Sequence, residues 1–355
     1  MNKTLHRWYQ EHKRDLPWRM TTDPYRIWLS EIILQQTRVA QGLEYYLRFV
    51  ERFPTVETLA AASETEVLHL WQGLGYYSRA RNLHAAAKMV VEKWGVRFPQ
   101  TYKDLLSLKG VGEYTAAAIA SFAFNLPYAV VDGNVERVLS RLFAIDIPTD
   151  SSKGKQVIRK LADEFLDTDT PAIHNQAMME FGALQCTPGK PECVKCPLQP
   201  NCLAYEKGVV ELLPRKEGKT KVRTRYFSYF YIHNQTDTII EQRTSSDIWR
   251  NLYQFPVVET EEESVLEQLT DNELFKQLTN GVSTPEIRLV SDGWKHILSH
   301  QVIRAALYEI RLKRLPAMQH PFVQTPINEL ERFPFYRLMT RMLEKLGLVC
   351  INKGN

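Results

Sequence analysis

No stretch of the 355-residue chain approaches the run of about 20 apolar residues that a membrane-spanning helix needs, although 44% of its residues are hydrophobic. With 24% charged residues the composition is that of a soluble globular protein. The N-terminus, Met1 to Tyr9, mixes basic and aromatic residues and has neither the apolar centre of a secretory signal nor the character of a transit peptide. A cytoplasmic protein without a membrane partner is therefore expected. Internal repeats and low-complexity tracts are missing as well. Excess charge is small: a net +4 is too little to establish nucleic-acid binding, since a solvated basic face produces the same balance. Cysteine is scarce, with five in all. Cys350 stands alone near the C-terminus and reads as an inert apolar side chain, whereas Cys186, Cys193, Cys196 and Cys202 crowd into one short segment.

The length exceeds what one core usually serves, about 100 to 200 residues, so two domains are expected. Residues 1–212 read as many short helices, with apolar residues at helical spacing broken by Pro, Gly and polar caps. Examples are Tyr25 to Leu34 and the Ala-rich run from Thr115 to Phe124. Residues 213–225 form a basic linker without apolar periodicity, suited to touching phosphates. Residues 226–355 open with aromatic and β-branched runs, Tyr226 to Ile232 and Thr238 to Ile240, around a turn at His233 to Asp237. Helical segments follow near Ser264 to Leu278 and Pro334 to Leu346, so this domain is expected to be α+β.

The cysteine spacing is Cys-x6-Cys-x2-Cys-x5-Cys. Its arms are too short for a two-knuckle zinc site, whose pairs stand about 15 to 20 residues apart. A 4Fe-4S cluster wrapped by one compact loop fits better, with Lys190 and Lys195 expected to offset thiolate charge.

Lys109, Gly110 and Gly112 lie in a Gly-x-Gly turn between two helical patterns. Glycines there let the backbone approach a DNA phosphate and Lys109 adds charge, although a plain helix-helix turn would contain the same residues. Soon after comes Val130-Val131-Asp132-Gly133-Asn134-Val135-Glu136-Arg137-Val138. Asp132 is an acid that can stabilise a neighbouring positive charge. The same Asp also suits a helix N-cap, and the two roles are compatible.

A helix-hairpin-helix, then Val-Asp-x-x-Val-x-Arg-Val, then the four-cysteine loop resembles the endonuclease III superfamily of base-excision glycosylases, from about Arg7 to Cys202. The resemblance implies an all-α glycosylase domain with an iron-sulfur loop. Bifunctional members carry a lysine after the hairpin that forms an imine with the sugar. Tyr114 stands at that place here, which implies a monofunctional enzyme that hydrolyses the N-glycosidic bond with water, a step that builds positive charge on the sugar. Leu-Pro-Trp-Arg at 16–19, Ser-Glu-Ile-Ile-Leu-Gln-Gln-Thr at 30–37 and Gly-Leu-Gly-Tyr-Tyr-Ser-Arg-Ala at 73–80 are similar to the MutY-type adenine DNA glycosylases.

Glu31 interrupts an almost wholly apolar stretch. Apolar surroundings raise a carboxyl pKa, as a general acid protonating adenine needs, whereas a Glu on a solvated helix face would have no such role. The resemblance implies Glu31 as acid and Asp132 as sugar stabiliser, supported by Tyr114 and Asn134. It also implies Gln36 and Tyr76 filling the gap left by a flipped base, and Trp18, Arg19 and Gln176 lining the adenine pocket, with Trp18 equally readable as core. The partner expected is duplex DNA with adenine opposite 8-oxoguanine or guanine, bound by a monomer associated with a bacterial nucleoid.

The second domain is similar to the C-terminal domain of these enzymes, which has a Nudix-like fold and helps recognise 8-oxoguanine. Glu241 to Arg243 and Ile248 to Pro256 carry the likeness, with Asn251 where the family often has glycine. Glu259, Glu261, Glu262 and Glu263 lack the frame of a metal-binding Nudix helix, so Nudix hydrolase activity is not expected. His296-Ile297-Leu298-Ser299-His300 resembles the lesion-reading loop, in which Ser299 and His300 would contact 8-oxoguanine; a polar hairpin turn is the alternative. The competing functions are a pyrimidine-lesion glycosylase with lyase activity, opposed by Tyr114 and the C-terminal domain, and a catalytically silent iron-sulfur DNA-binding protein, opposed by Glu31 with Asp132.

Overall fold

The structure is a computed structural model that describes residues 1–218, 222–279 and 285–349; Lys219, Thr220 and Lys221 of the basic linker, and Cys350, lie outside the described residues. The chain divides into two compact units, one of Met1–Ala61 with Asn82–Lys219 and the other of Ala62–Arg81 with Thr220–Asn355. This division differs from a single break in the linker, because residues 62–81 group with the second unit.

In chain order the helices before the linker are α1 (Asn2–His12), α2 (Pro24–Leu34), α3 (Val39–Arg52), α4 (Val56–Ala61), α5 (Glu64–Leu70), α6 (Ser78–Trp94), α7 (Tyr102–Ser107), α8 (Glu113–Phe124), α9 (Gly133–Leu142), α10 (Ser152–Phe165), α11 (Pro171–Leu184) and α12 (Leu203–Glu206). Among the described residues no helix is long and apolar enough to cross a membrane. Two helices lack a polar face. In α8 every residue from Thr115 to Ser121 is buried, and in α2 so are Tyr25 and Ile27 to Ile33. A helix apolar all round must be enclosed by others, and α2 packs directly on α8. The start of α2 is set locally by Pro24 at its first position and by Asp23, whose carboxylate accepts the Tyr25 N–H at 2.9 Å. By contrast, α9 is amphipathic, burying Val135, Val138, Leu139 and Leu142 in a core shared with Leu5, Trp8, Met178 and Phe181.

The described start of the linker is tied to the first unit. The Arg215 carbonyl accepts from Thr149 N–H (2.9 Å), and the Asp150 carboxylate accepts from the Glu217 and Gly218 N–H groups (3.0 and 2.8 Å).

The second unit holds β1 (Arg223–His233), β2 (Asp237–Gln242), β3 (Tyr253–Gln254), β4 (Val257–Thr260), α13 (Leu266–Thr270), α14 (Glu273–Leu278), β5 (Glu286–Ile297), β6 (Gln301–Arg311), β7 (Phe322–Pro326) and α15 (Arg337–Lys345). The strands form one mixed sheet in the order β3-β2-β1-β6-β5, with β4 on β1 and β7 on β2. The long central pair, β1 and β6, is parallel from Arg223↔Gln301 to His233↔Arg311, which is why β1 begins inside the basic run instead of at Tyr226. Both the sheet and the expected helices of this half are present, in an α+β arrangement. One face of the sheet packs Phe230, Ile232, Ile239 and Ile310 against Phe275 and Leu278 of α14.

The Trp249 ring stacks on Tyr336, with centroids 3.6 Å apart. The Tyr336 hydroxyl donates to Gln254 Oε1 (2.7 Å) and lies 2.8 Å from the Tyr229 hydroxyl, all buried. Buried hydroxyls without partners are costly. Tyr336→Phe is therefore expected to destabilise the second unit by about 1–2 kcal/mol while keeping its stacking area. Denaturant titration followed by tryptophan fluorescence measures this; an unchanged midpoint would show the hydroxyl network to be neutral.

Candidate active site

Three elements of the first unit place two carboxyl groups and a phenol together. Glu31, on the last turn of α2, is 6% exposed, in a helix buried continuously from Ile27 to Ile33. Tyr114, on the first turn of α8, donates its hydroxyl to Glu31 Oε2 at 2.7 Å. Asp132 is the N-cap of α9. Its Oδ1 accepts the N–H groups of Asn134 and Val135 at 2.9 and 2.8 Å, and its Oδ2 accepts the Asn134 side-chain N–H at 2.7 Å. The N-cap expected of Asp132 is therefore observed.

Burial is the largest influence on Glu31 and pushes its carboxyl up to about 7; the Tyr114 hydrogen bond lowers it, the nearby Asp132 charge raises it and Arg19 lowers it. Burial also raises Asp132, opposed by the hydrogen bonds from Val135 and Asn134 and by the charge of Arg137. Burial and the two neighbouring carboxylates push the Tyr114 phenol far above its usual range, so it is a proton donor in the hydrogen bond to Glu31.

Asn134 is held on three sides. Its amide donates to Asp132, its Oδ1 accepts from Arg137 Nη2 at 2.9 Å, and Gly182 of α11 packs so close that a Cβ there would stand 2.8 Å from the Asn134 carbonyl oxygen. Arg137 also donates to the carbonyls of Cys186 (2.8 Å) and Gly182 (2.7 Å). One turn further along α9, Arg141 donates to the carbonyls of Val210, Leu213 and Thr187, and lies 3.5 Å from Cys186 Sγ.

Cys186, Cys193, Cys196 and Cys202, none in a disulfide, line one cavity with about 310 Å³ of atom-free space. Among the described residues no group of three or more His, Cys, Asp or Glu is placed to hold a metal ion. The expected charge partners differ from those observed. Lys195 pairs with Glu192 and Lys190 with Glu211, both on the exposed surface, and the cation beside a thiol is Arg141. Arg141 is 2% exposed, and only folding brings the helix that carries it against the loop.

The remaining predicted residues occupy varied surroundings. Trp18 is buried and packs edge-on against Tyr46, with centroids 5.1 Å apart. Arg19 is bound to Glu180 of α11, and Gln176 accepts the Tyr9 hydroxyl at 2.5 Å. Gln36 is exposed with φ 54. At the hairpin Lys109 is exposed, Gly110 has φ +78 against Asn82, and Gly112 starts α8 without a side-chain cap. In the second unit, Ser299 and His300 lie in the exposed turn between β5 and β6, and Ser299 Oγ is 2.6 Å from the hydroxyl of Tyr76, whose φ is 47. The polar hairpin turn given as the alternative reading of this loop is therefore observed.

Residues 29–165 match the family described as HhH-GPD superfamily base excision DNA repair protein, and residues 228–345 match the NUDIX domain. The chain is 34% identical over 306 residues to the adenine DNA glycosylase of Buchnera aphidicola subsp. Baizongia pistaciae (strain Bp), covering 84% of this chain and 82% of that protein. It is 35% identical over 368 residues to the adenine DNA glycosylase of Mus musculus, covering 88% and 71%. The chain belongs to the adenine DNA glycosylase family. A solved structure of a thermostable thymine-DNA glycosylase is also similar, with TM-score 0.54 and 31% identity, over 58% of this chain and 95% of that one. Membership of the adenine DNA glycosylase family agrees with the helical domain followed by a Nudix-like sheet.

Asn251 is the position that the resemblance marks as one where glycine is expected. Its φ is 66, the left-handed region that glycine enters freely and Asn tolerates better than other residues. Four participants escaped the reading of the sequence: Arg14, Glu180, Arg141 and Gly182. Glu180 left one signal, an acid inside the apolar run Ala177-Met178-Met179-Glu180-Phe181-Gly182.

Between about pH 4.5 and 7 an unfolded chain ionises Glu31 while the folded one retains its proton, so the fold loses stability as pH rises through that window. Glu31→Gln removes this dependence. Relative to the parent it is expected to gain on the order of 3 kcal/mol on going from pH 4.5 to pH 8. Denaturation at the two pH values measures it; a constant difference would place Glu31 in water.

Proposed function

We propose that this protein flips adenine out of DNA opposite 8-oxoguanine or guanine and hydrolyses its N-glycosidic bond without cutting the strand. Removal of adenine in base-excision repair is the activity of the family to which the chain belongs. The observation that carries the mechanism is the buried Glu31, hydrogen-bonded to Tyr114, pushed up to about 7 by burial and close enough to Asp132 to feel its charge.

In this reading Glu31 gives its proton to N7 of adenine as the bond from C1′ to N9 breaks, and the bonding electron pair leaves with the base. The positive charge left on the sugar faces Asp132, whose charged form is favoured by the N-terminus of α9 and the Asn134 amide. Tyr114 orients Glu31, and Asn134 orients Asp132. Water adds to C1′ and passes its proton to the ionised Glu31, restoring the acid and leaving an abasic site. With a tyrosine committed to Glu31 where bifunctional relatives carry a lysine, no amine attacks the sugar.

Trp18, Arg19 and Gln176 would line the base pocket. Gln36 and Tyr76 hold left-handed backbone conformations at exposed positions, which costs energy and marks positions held for a contact. They would fill the gap left by the base, while Lys109, Gly110 and Gly112 bind a phosphate. Ser299 and His300 would read 8-oxoguanine.

The four cysteines fit a 4Fe-4S cluster. Their spacing is too short for a two-knuckle zinc site, and the four thiols line one shared cavity. When bound, the cluster cross-links residues 186–202. The protein is expected to carry about four irons with inorganic sulfide; stoichiometric zinc without sulfide in freshly isolated protein refutes this.

Single-turnover excision of adenine opposite 8-oxoguanine and opposite guanine, with gel-shift titration at fixed salt, tests the reaction. Glu31→Gln and Asp132→Asn should each abolish excision and retain DNA binding. The combined Ser299→Ala and His300→Ala change should slow the 8-oxoguanine substrate selectively, each lost hydrogen bond costing about 0.5–1.5 kcal/mol. Strand breaks before alkali, or near-normal excision by either carboxylate variant, would overturn the mechanism.

A further inference from the structure

Asp132 is reached through irregular chain: the described residues 125–132, between α8 and α9, belong to no helix or strand. The middle of this segment is nevertheless enclosed, Ala129 being 2% exposed and Val130 1%. Backbone polar groups buried there need partners. One side chain of α11 supplies them. Asn175, itself 2% exposed, accepts the Val130 N–H on Oδ1 (3.0 Å) and donates through Nδ2 to the Tyr128 carbonyl (2.8 Å) and to Ser121 Oγ (2.9 Å). Both N–H groups of the amide and its oxygen are thus engaged, and a buried amide satisfied in this way is held in one orientation.

The partners of Asn175 belong to two elements that meet in the site. Ser121 lies seven residues after Tyr114 on α8, and so on the same face of that helix. Val130 stands two residues before Asp132 and packs with Ala117 and Ala118 of α8 in the small core against which Tyr114 also rests. Asn175 therefore bridges the helix whose Tyr114 holds Glu31 to the segment that delivers Asp132. The cap bonds from Asn134 and Val135 orient the Asp132 carboxylate on α9, but they do not fix where it stands relative to α8. That placement needs a link between the two elements, because reacting groups must be held within about 0.5 Å of their productive geometry.

We propose that Asn175 is a positioning residue for the reaction: by tying the segment 128–130 to α8, it sets Asp132 where positive charge develops on the sugar. This rests on the reading of Asp132 as the stabiliser of that charge.

Two duplexes with 8-oxoguanine in one strand isolate the effect. Opposite the lesion, one carries a pyrrolidine abasic analogue, whose protonated ring nitrogen imitates the charged sugar, and the other a neutral tetrahydrofuran. The ratio of their dissociation constants, from gel-shift titration with the full chain as isolated, reports how well the charge is met. Asn175→Ala should reduce the parent's preference for the cationic analogue about tenfold and slow single-turnover excision of adenine about 10- to 100-fold. Affinity for the tetrahydrofuran duplex, which comes mainly from phosphate contacts, should stay within about twofold of the parent. A residue that only supports the fold weakens binding to both duplexes together and leaves the ratio where it was. An unchanged ratio, or equal loss on both duplexes, overturns the proposal.

Asp132→Asn is the reference. If it loses the preference while Asn175→Ala keeps it, the proposal alone fails; if Asp132→Asn itself keeps the preference, the reading of Asp132 fails and the proposal falls with it. Should Asn175→Ala fail to fold, Ser121→Ala carries the test. It removes the bond to α8, leaves both bonds to the segment, and should lower the same ratio about threefold. An unchanged ratio in that variant overturns the proposal.

Discussion

Burial pushes the Glu31 carboxyl up to about 7 because α2 is buried from Ile27 to Ile33 and packs on α8, which is buried from Thr115 to Ser121. An ionisable group on such a helix has three outlets: it can pair with a cation, accept hydrogen bonds in its charged form, or remain neutral. Here one phenol donates to it and Arg19, which lowers it, is hydrogen-bonded to Glu180, so burial prevails. The alanines of α8 matter for this reason. Their small side chains let α2 approach closely enough to exclude water, and the same first turn of α8 supplies Tyr114.

Burial raises the second carboxyl group as well, but more hydrogen-bond donors oppose it. Asp132 sits at the end of a helix, where three donors from Asn134 and Val135 favour its charge. Two carboxyl groups in one site therefore meet different electrostatic conditions, which is how a single pocket separates a proton donor from a charge stabiliser. The helix that begins at Asp132 continues through Arg137 and Arg141, and these satisfy carbonyls of the cysteine loop and of the segment leading to the linker. Little of that loop can satisfy its own carbonyls through regular structure, so long side chains from α9 do so.

In the second unit the scaffold is the parallel pairing of β1 with β6, and the β5–β6 turn carrying Ser299 and His300 projects from one end of it. Left-handed backbone conformations at Tyr76 and Asn251 are local departures that the surrounding packing must hold in place.

Much was legible in the chain without coordinates. Helical spacing, the caps before α2 and α9, the hairpin glycines and the cysteine spacing depend on neighbours within a few residues, and the helices, the N-cap at Asp132 and the shared cysteine cavity follow from them. The aromatic and β-branched runs likewise predict the strands and the α+β class of the second unit. Sequence order could not reveal contacts made across great separations. Arg14 and Arg19 meet Glu180 about 160 residues away, Arg141 replaces the expected lysines beside the thiols, and residues 62–81 group with the second unit. Glu31 shows the division most clearly. Its apolar neighbours announced a buried acid, but the value near 7 is a balance of burial, one phenol, one carboxylate and one guanidinium. Those come from three other parts of the chain, and their distances exist only once the chain has folded.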